Sequence, residues 1–177
     1  MNRGGQLAGL VLLVSLLAGT ACGYRLAGTS SVLPEHIRIL AVVPFSNNTD
    51  RPEIEQRVTE AVARELSRRG RYEVVTDPAK ADAVLHGTVI SYRTRPVEFT
   101  TEGREARTEA TLTIQATLRD SQSDEILWSQ SGLIFMEQFD VTEEAGSEGF
   151  IFLESLTLDR LANGVASVLA TSMLEGF

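Results

Sequence analysis

The stretch Arg107-Thr108-Glu109-Ala110-Thr111-Leu112-Thr113-Ile114-Gln115-Ala116-Thr117-Leu118-Arg119 places small or apolar side chains at alternate positions and polar side chains between them. Because alternate residues of a strand point to opposite faces of a sheet, this pattern predicts a strand with one buried face. The other face carries Arg, Glu, Thr and Gln, which is typical of an antiparallel sheet with one side open to water. The residues predicted to be buried are Thr108, Ala110, Leu112, Ile114, Ala116 and Leu118.

A strand is predicted on each side of this stretch along the chain. The first runs over residues 83–95, and residues 96–105, which contain a proline, a glycine and several charges, form a loop or hairpin tip. After a polar turn at 120–124, residues 125–137 form the next strand. The three strands are therefore predicted to pair consecutively and antiparallel.

Two glycines and a histidine within these strands carry further predictions. In the last strand Trp128 and Leu133 point by parity to opposite faces, so we predict a bulge near Gly132. Gly87 in the first strand predicts the close approach of another element, such as a packed helix. His86 has no acidic or cysteine partner at ligand spacing, and a core or sheet-edge histidine is the simpler interpretation.

The amino-terminal half of the domain is predicted to begin with a buried strand over residues 37–45. Pro44 cannot donate a ladder hydrogen bond, so pairing should stop there or the strand should lie at an edge. Residues 46–50 then form a polar turn. The face predicted to be the main buried one carries Ile37, Ile39, Ala41, Val43 and Phe45.

Two amphipathic helices are predicted. Asp50 and Glu53 have capping-box spacing, which predicts the start of the first helix, and Gly70 is expected just past its end. A short edge strand at 72–75 and a connector follow, and after an acidic loop the second helix covers about residues 155–173, with Gly164 allowing tight packing. The first helix's apolar stripe is Ile54, Val58, Ala61, Val62 and Leu66.

The order of these elements predicts an α+β fold. It is a mixed, largely antiparallel sheet of four to five strands with two helices packed on one face. The formal net charge of −8 disfavours nucleic acid as a partner, because phosphates need a basic surface. The motifs of a nucleophile, a phosphate loop or paired metal-binding histidines are missing from the sequence, so we expect neither an enzyme nor a cofactor or metal site.

The first 21 residues have the organisation of an export signal, with Arg3, an apolar run and small residues before Cys22. The junction resembles the lipobox of bacterial lipoproteins, although Gly19 stands where Leu is usual. We therefore predict a signal peptide at 1–21, a lipid on Cys22 with a short tether at 22–36, and one domain at 37–177. The alternatives are a buried free thiol or an ordinary signal cut elsewhere.

The chain resembles the LptE family of lipopolysaccharide-assembly lipoproteins. The likeness is carried by Cys22-Gly23-Tyr24-Arg25-Leu26-Ala27-Gly28, Pro44-Phe45-Ser46-Asn47-Asn48-Thr49 and Ala81-Asp82-Ala83-Val84-Leu85-His86-Gly87, in that order. It implies a lipoprotein that plugs a large outer-membrane β-barrel partner (LptD-like), aids assembly of that barrel and helps insert lipopolysaccharide into the outer leaflet. It also implies anchorage in the outer membrane facing the periplasm, because Gly23 rather than Asp follows the cysteine.

Four arginines near the predicted loop form a candidate ligand site. Arg93, Arg95, Arg104 and Arg107 cluster around residues 96–105 in an otherwise acidic chain. Guanidinium groups bind phosphate and carboxylate bidentately, so we predict that these residues meet the anionic groups of lipopolysaccharide. The alternative is that they are strand-end arginines kept for solubility.

A second function remains open at this point, namely a lipoprotein that activates a peptidoglycan synthase. Such a regulator has to reach across the periplasm through a long linker. Here about 14 residues separate Cys22 from the first strand and reach at most roughly 50 Å, which disfavours that role. A lipid-anchored hydrolase lacks a nucleophile and a base in this sequence.

Overall fold

The computed structural model describes residues 33–101, 103–141 and 146–175, so the predicted signal peptide, Cys22 and most of the tether lie outside the described residues. The predicted α+β class is confirmed. A short 3₁₀ turn lies in the predicted connector at Pro78–Lys80. The strands and helices are β1 Ile39–Val42, β2 Ser46–Asn47, α1 Ile54–Arg69, β3 Glu73–Val75, β4 Ala83–Phe99, β5 Glu105–Asp120, β6 Ile126–Asp140 and α2 Gly146–Glu175.

The sheet is mixed and has six strands rather than the four to five predicted. Its order is β3-β1-β4-β5-β6, and β2 pairs with β4 beyond the end of β1. β1 runs parallel to both β3 and β4, whereas β4, β5 and β6 pair antiparallel as predicted. β3 and β6 therefore form the two ends of the sheet.

Both helices pack on one face of this sheet, and the core lies between the two layers. The β5 residues predicted to be buried are all buried, from Thr108 at 1% exposure to Leu118 at 0%. The apolar stripe of α1 is also buried as predicted. Opposite them lies the sheet face that we call the open face, formed by the outward side chains of β4, β5 and β6.

Residue 87 has to be a glycine because another group packs closely against it, but that group is not a helix. A Cβ built on Gly87 would lie 2.1 Å from Cε2 of Phe45, whose ring covers the glycine. The backbone N–H of Phe45 donates to Thr59 Oγ1 at 3.0 Å, which ties the residue to α1. The missing side chain therefore makes room for an aromatic ring of the core.

Bulges in β4 and β6 set which side chains reach the open face. Gly132 has φ +74°, and β6 shifts register against β5 there, so the predicted bulge is confirmed. A second bulge at Ile90 in β4 was not predicted. Because of it, even-numbered residues of β4 point outward before Ile90 and odd-numbered residues after it, which places Arg93 and Arg95 on the open face. A further register shift at Val97 then places Glu98 on this face as well.

Several predictions about the first half of the domain are wrong. Ile37, Ala41 and Phe45 are buried as predicted, but Ile39 and Val43 are only half-buried. The side chains that β1 gives to the core are instead Leu40 and Val42. Ser46–Asn47 is a short strand rather than a turn, because it pairs parallel with β4. His86 is exposed on an interior strand, so it is neither a core nor an edge residue.

The ends of four other elements also differ from the prediction. The capping box is wrong, because α1 begins after Glu53, which has φ +64° and makes no side-chain cap, although Gly70 ends the helix as predicted. α2 begins at Gly146 instead of 155, and β4 and β5 extend into the predicted loop at 96–105. Neither helix of the described residues combines the length and hydropathy needed to cross a bilayer.

Candidate functional site

The open face is built from cross-strand rows, because residues paired across β4, β5 and β6 point to the same side of the sheet. The row nearest the hairpin turn joins Glu98, Arg107 and Asp140. Arg107 Nε donates to Asp140 Oδ1 at 2.7 Å, and its Nη1 lies 3.0 Å from Glu98 Oε2. The hydrogen bond and charge of Asp140 raise the pKa of Arg107 above its usual range, and Glu98 adds to this. This arginine is thus held between two carboxylates.

The next row joins Arg95, Glu109 and Gln138. Arg95 Nε and Nη2 lie 2.9 and 2.7 Å from Glu109 Oε1, and Gln138 donates to Glu109 Oε2 at 3.3 Å. The hydrogen bond from Arg95 is the main cause of the lowered pKa of Glu109, with that from Gln138 second. Arg95 is therefore also paired with an anion.

Arg93 differs from these two arginines. It is exposed in a row with Thr111 and Met136, and among the described residues no carboxylate pairs with it. Arg104 lies apart on the hairpin turn, where its backbone N–H and carbonyl bond to Thr100. The structure thus brings Arg93, Arg95 and Arg107 onto one face and leaves Arg104 at the tip beside it.

The middle of the open face is polar along β5 and apolar along β6. Thr111 and Thr113 of β5 lie opposite Met136 and Ile134 of β6. Both β6 side chains are 61% exposed. Beyond them, at the far end, comes the polar row of His86, Thr117 and Ser129.

The opposite end of the sheet receives the first described residues of the chain. His36 Nε2 lies 2.6 Å from Asp120 Oδ2, at the carboxyl end of β5. Backbone N–H groups of Ser123 and Gln122 and the ring of His36 lower the pKa of Asp120 to about 2, with Ser123 the largest cause. At about 3.3 Å per strand residue, this end lies about 40 Å from Arg107.

A polar cluster also lies under the sheet, inside the helical layer. Tyr92 of β4 donates its hydroxyl to Glu154 Oε1 at 3.0 Å, and Arg51 Nη1 lies 3.2 Å from Glu154 Oε2. Burial, followed by the charge of Glu154, raises the pKa of Tyr92. These partners satisfy one another and join α2 to β4. Within residues 33–101, 103–141 and 146–175, His, Cys, Asp and Glu side chains do not gather in a group that could hold a metal ion.

The sequence did not predict which carboxylates pair with the arginines. The alternation of β5 places Glu109 on the same face as Arg107, but it does not predict the register that sets Glu109 opposite Arg95. Glu98 lay in the predicted loop, and Asp140 in the predicted acidic loop. Their places in strands are what bring Arg95 and Arg107 into ion pairs.

Two helices on one face of a mixed sheet make a small α+β domain, and solved structures of bacterial lipoproteins have the same fold. Lipoprotein B from Nitrosomonas europaea has this fold at 14% identity, with 80% of this chain and 88% of that chain covered and a TM-score of 0.51. The rare lipoprotein B from Shewanella oneidensis matches at 15% identity over 76% of this chain and 96% of that one, with a TM-score of 0.47.

The family model named LptE, lipopolysaccharide-assembly, matches residues 37–172. The chain belongs to this family, and its role therefore lies in lipopolysaccharide assembly. A search of curated proteins finds no match to the chain.

Proposed function

We propose that this chain is a non-catalytic outer-membrane lipoprotein that binds and plugs a β-barrel partner and helps it insert lipopolysaccharide into the outer leaflet. The observation that carries the proposal is the open face, a broad sheet surface that is polar along β4 and β5 and that no helix of the described residues covers. Such a face suits the water-filled lumen of a large barrel, whose interior is polar. Family membership supports this role over the activation of a peptidoglycan synthase, which no observation favours.

The anchor belongs to the same proposal. Residues 1–21 act as a signal peptide, a lipid on Cys22 holds the protein at the periplasmic side of the outer membrane, and residues 37–177 act as its one domain. The tether would join the sheet at the end where His36 contacts Asp120. That arrangement keeps the hairpin end, with its arginines, about 40 Å along β5 from the attachment point.

Within the arginine cluster, Arg93 is the residue we expect to contribute most to lipopolysaccharide binding. Arg107 and Arg95 already pair with carboxylates, and a phosphate would have to compete with those anions. Arg93 is exposed without such a partner among the described residues, and a charge-assisted bond to phosphate adds a contact without breaking one. Arg104 lies at the adjacent hairpin turn and is the second candidate.

Binding of purified lipopolysaccharide to Arg93→Gln, Arg95→Gln and Arg104→Gln variants tests this site. We expect Arg93→Gln to weaken binding by about tenfold, since a hydrogen bond to a charged group contributes about 1.5–3 kcal/mol. Arg64→Gln is the matched control, because Arg64 is an exposed arginine of α1 and its loss changes the net charge equally. Equal binding by wild type, Arg93→Gln and Arg104→Gln would overturn the assignment of the site.

Proposed barrel binding has a separate test. The lipidated protein is purified from its own membranes in mild detergent, and the proteins that come with it are identified. A large outer-membrane barrel in a stoichiometric amount is the expected result. Recovery of a penicillin-binding protein instead would favour the regulator of peptidoglycan synthesis and refute the proposal.

A further inference from the structure

Among the described strands, the free edges of the sheet are protected against pairing to very different degrees. β2, with two residues, is too short to accept another strand. β3 is an edge of only three residues. Beyond β2, the outer half of β4 is also an edge, and it carries Pro96, charged residues and register shifts at Ile90 and Val97. Short length, proline, charge and bulges are the devices that keep an edge from accepting another strand.

β6 lacks most of these devices. It is 15 residues long and pairs only with β5 among the described strands. From Ile126 to Met136 it contains neither a charged residue nor a proline, and its irregularities are the bulge at Gly132 and a register shift at Leu127. A long uncharged edge offers its outward backbone N–H and C=O groups to an added strand.

An added strand would contact side chains on both faces of β6. On the open face Ile134 and Met136 are each 61% exposed at adjacent outward positions. On the other face α2 passes closely over Phe135, because a Cβ built on Gly164 would lie 3.6 Å from its Cδ1. Val168, one turn further along α2, is 42% exposed. An added strand would thus find apolar contacts above and below its backbone.

The charges at the two ends of this edge indicate which strand would fit. Glu125 precedes the uncharged segment and Glu137 follows it, and among the described residues no cation pairs with either side chain. A second copy of the chain, with its own net charge of −8 and the same two acids, is a poor match. A segment that is uncharged in its middle and basic at its ends is complementary.

We infer that the free edge of β6 binds an extended segment of the barrel partner by strand addition, with an apolar centre beside Ile134 and Met136 and basic residues near Glu125 and Glu137. This inference rests on the proposed function for the identity of the partner. Met136 shares a cross-strand row with Arg93, but it lies two strands away, at about 10 Å, and it borders the free edge of the sheet. The strand-addition site therefore adjoins the proposed lipopolysaccharide site but uses different residues.

The test uses the full lipidated chain in its own cells, with Ile134→Lys and Met136→Lys combined. Two lysines on an edge oppose strand pairing, and we expect recovery of the barrel with the purified protein to fall by at least about tenfold. Ile151→Lys is the matched control, because Ile151 is 60% exposed on α2 and should leave recovery unchanged. Thermal melts of the variants check that each is folded.

A photo-cross-linking residue at 134 or 136 identifies the occupant. Cross-links to the barrel, together with slower hydrogen exchange of alternate β6 amides in the purified complex, support strand addition. Cross-links only to a second copy or to another protein, or full barrel recovery with the double variant, would overturn the inference while leaving barrel binding intact. If the wild-type protein recovers no barrel at all, the proposed function itself fails, and the inference fails with it.

Discussion

Replacing Gly87 by Ala tests the central contact of the core. The added Cβ would lie 2.1 Å from Cε2 of Phe45 and 2.3 Å from two further ring atoms. Carbon atoms in contact prefer about 3.5–4.0 Å, so the ring has to move by about 1.5 Å. Phe45 is 3% exposed and its backbone is tied to Thr59, which leaves the ring little freedom to move.

Overpacking of this kind costs about 1–3 kcal/mol, and expulsion of the ring from the core would bring the loss to the upper end. We therefore expect Gly87→Ala to lower the free energy of unfolding by about 3 kcal/mol. For a domain of this size each kcal/mol shifts Tm by about 2–4 °C, so Tm should fall by about 6–12 °C. Thermal melts followed by far-UV circular dichroism measure the change.

Gly164→Ala is the matched control, because a Cβ there would meet Phe135 at 3.6 Å, an ordinary contact distance. The close packing predicted for Gly164 therefore does not require a glycine. Replacement of a mid-helix Gly by Ala should raise stability by up to about 1 kcal/mol. A Gly87→Ala protein that melts within about 1 °C of wild type, or a Gly164→Ala protein that loses as much as Gly87→Ala, would refute this account of the two glycines. Phe45→Leu should partly rescue Gly87→Ala, because it removes the clashing ring atoms.

Two further predictions concern the ends of elements. Because the folded protein holds the pKa of Asp120 at about 2, below its ordinary value of 3.8, Asp120 stabilises the fold above pH 4, and this contribution is lost as the pH falls from about 4 to 2. The Tm of Asp120→Asn should lie below that of wild type at pH 6 and converge with it near pH 2, and a constant gap across this range would contradict the pairing. Glu53→Asn should raise stability by about 1 kcal/mol, since Asn tolerates the left-handed backbone better and can cap α1, whereas an unchanged urea midpoint would argue against strain there.

The sequence was sufficient to predict features that depend on a local pattern, namely the buried face of a strand and the position of a bulge. Alternation in β5 predicted its buried face residue by residue, because a period of two is specific to a half-buried strand. The parity change between Trp128 and Leu133 likewise predicted the bulge at Gly132, since no regular strand places both residues in the core.

Features that depend on distant neighbours could not be predicted in the same way. In β1 both faces are apolar, so the pattern did not show that Leu40 and Val42 face the helices. The spacing of Asp50 and Glu53 predicted a capping box. Arg51, which lies between them, instead contacts Glu154 of α2, more than a hundred residues away. The composition of β4 does not predict the bulge at Ile90, although this bulge decides that Arg93 and Arg95 face outward.

The open face therefore divides into parts with different chemistry, and this division changes what the arginines can do. Near the hairpin, Arg95 and Arg107 alternate with Glu98, Glu109 and Asp140, so this part of the face carries no excess positive charge. A cluster of four equivalent arginines would attract phosphate by its summed field, but here only local contacts can select an anion. The site consequently depends on Arg93 and on the turn that carries Arg104. If Arg93→Gln, Arg95→Gln and Arg104→Gln weakened lipopolysaccharide binding equally, a summed field rather than a local contact would be the cause.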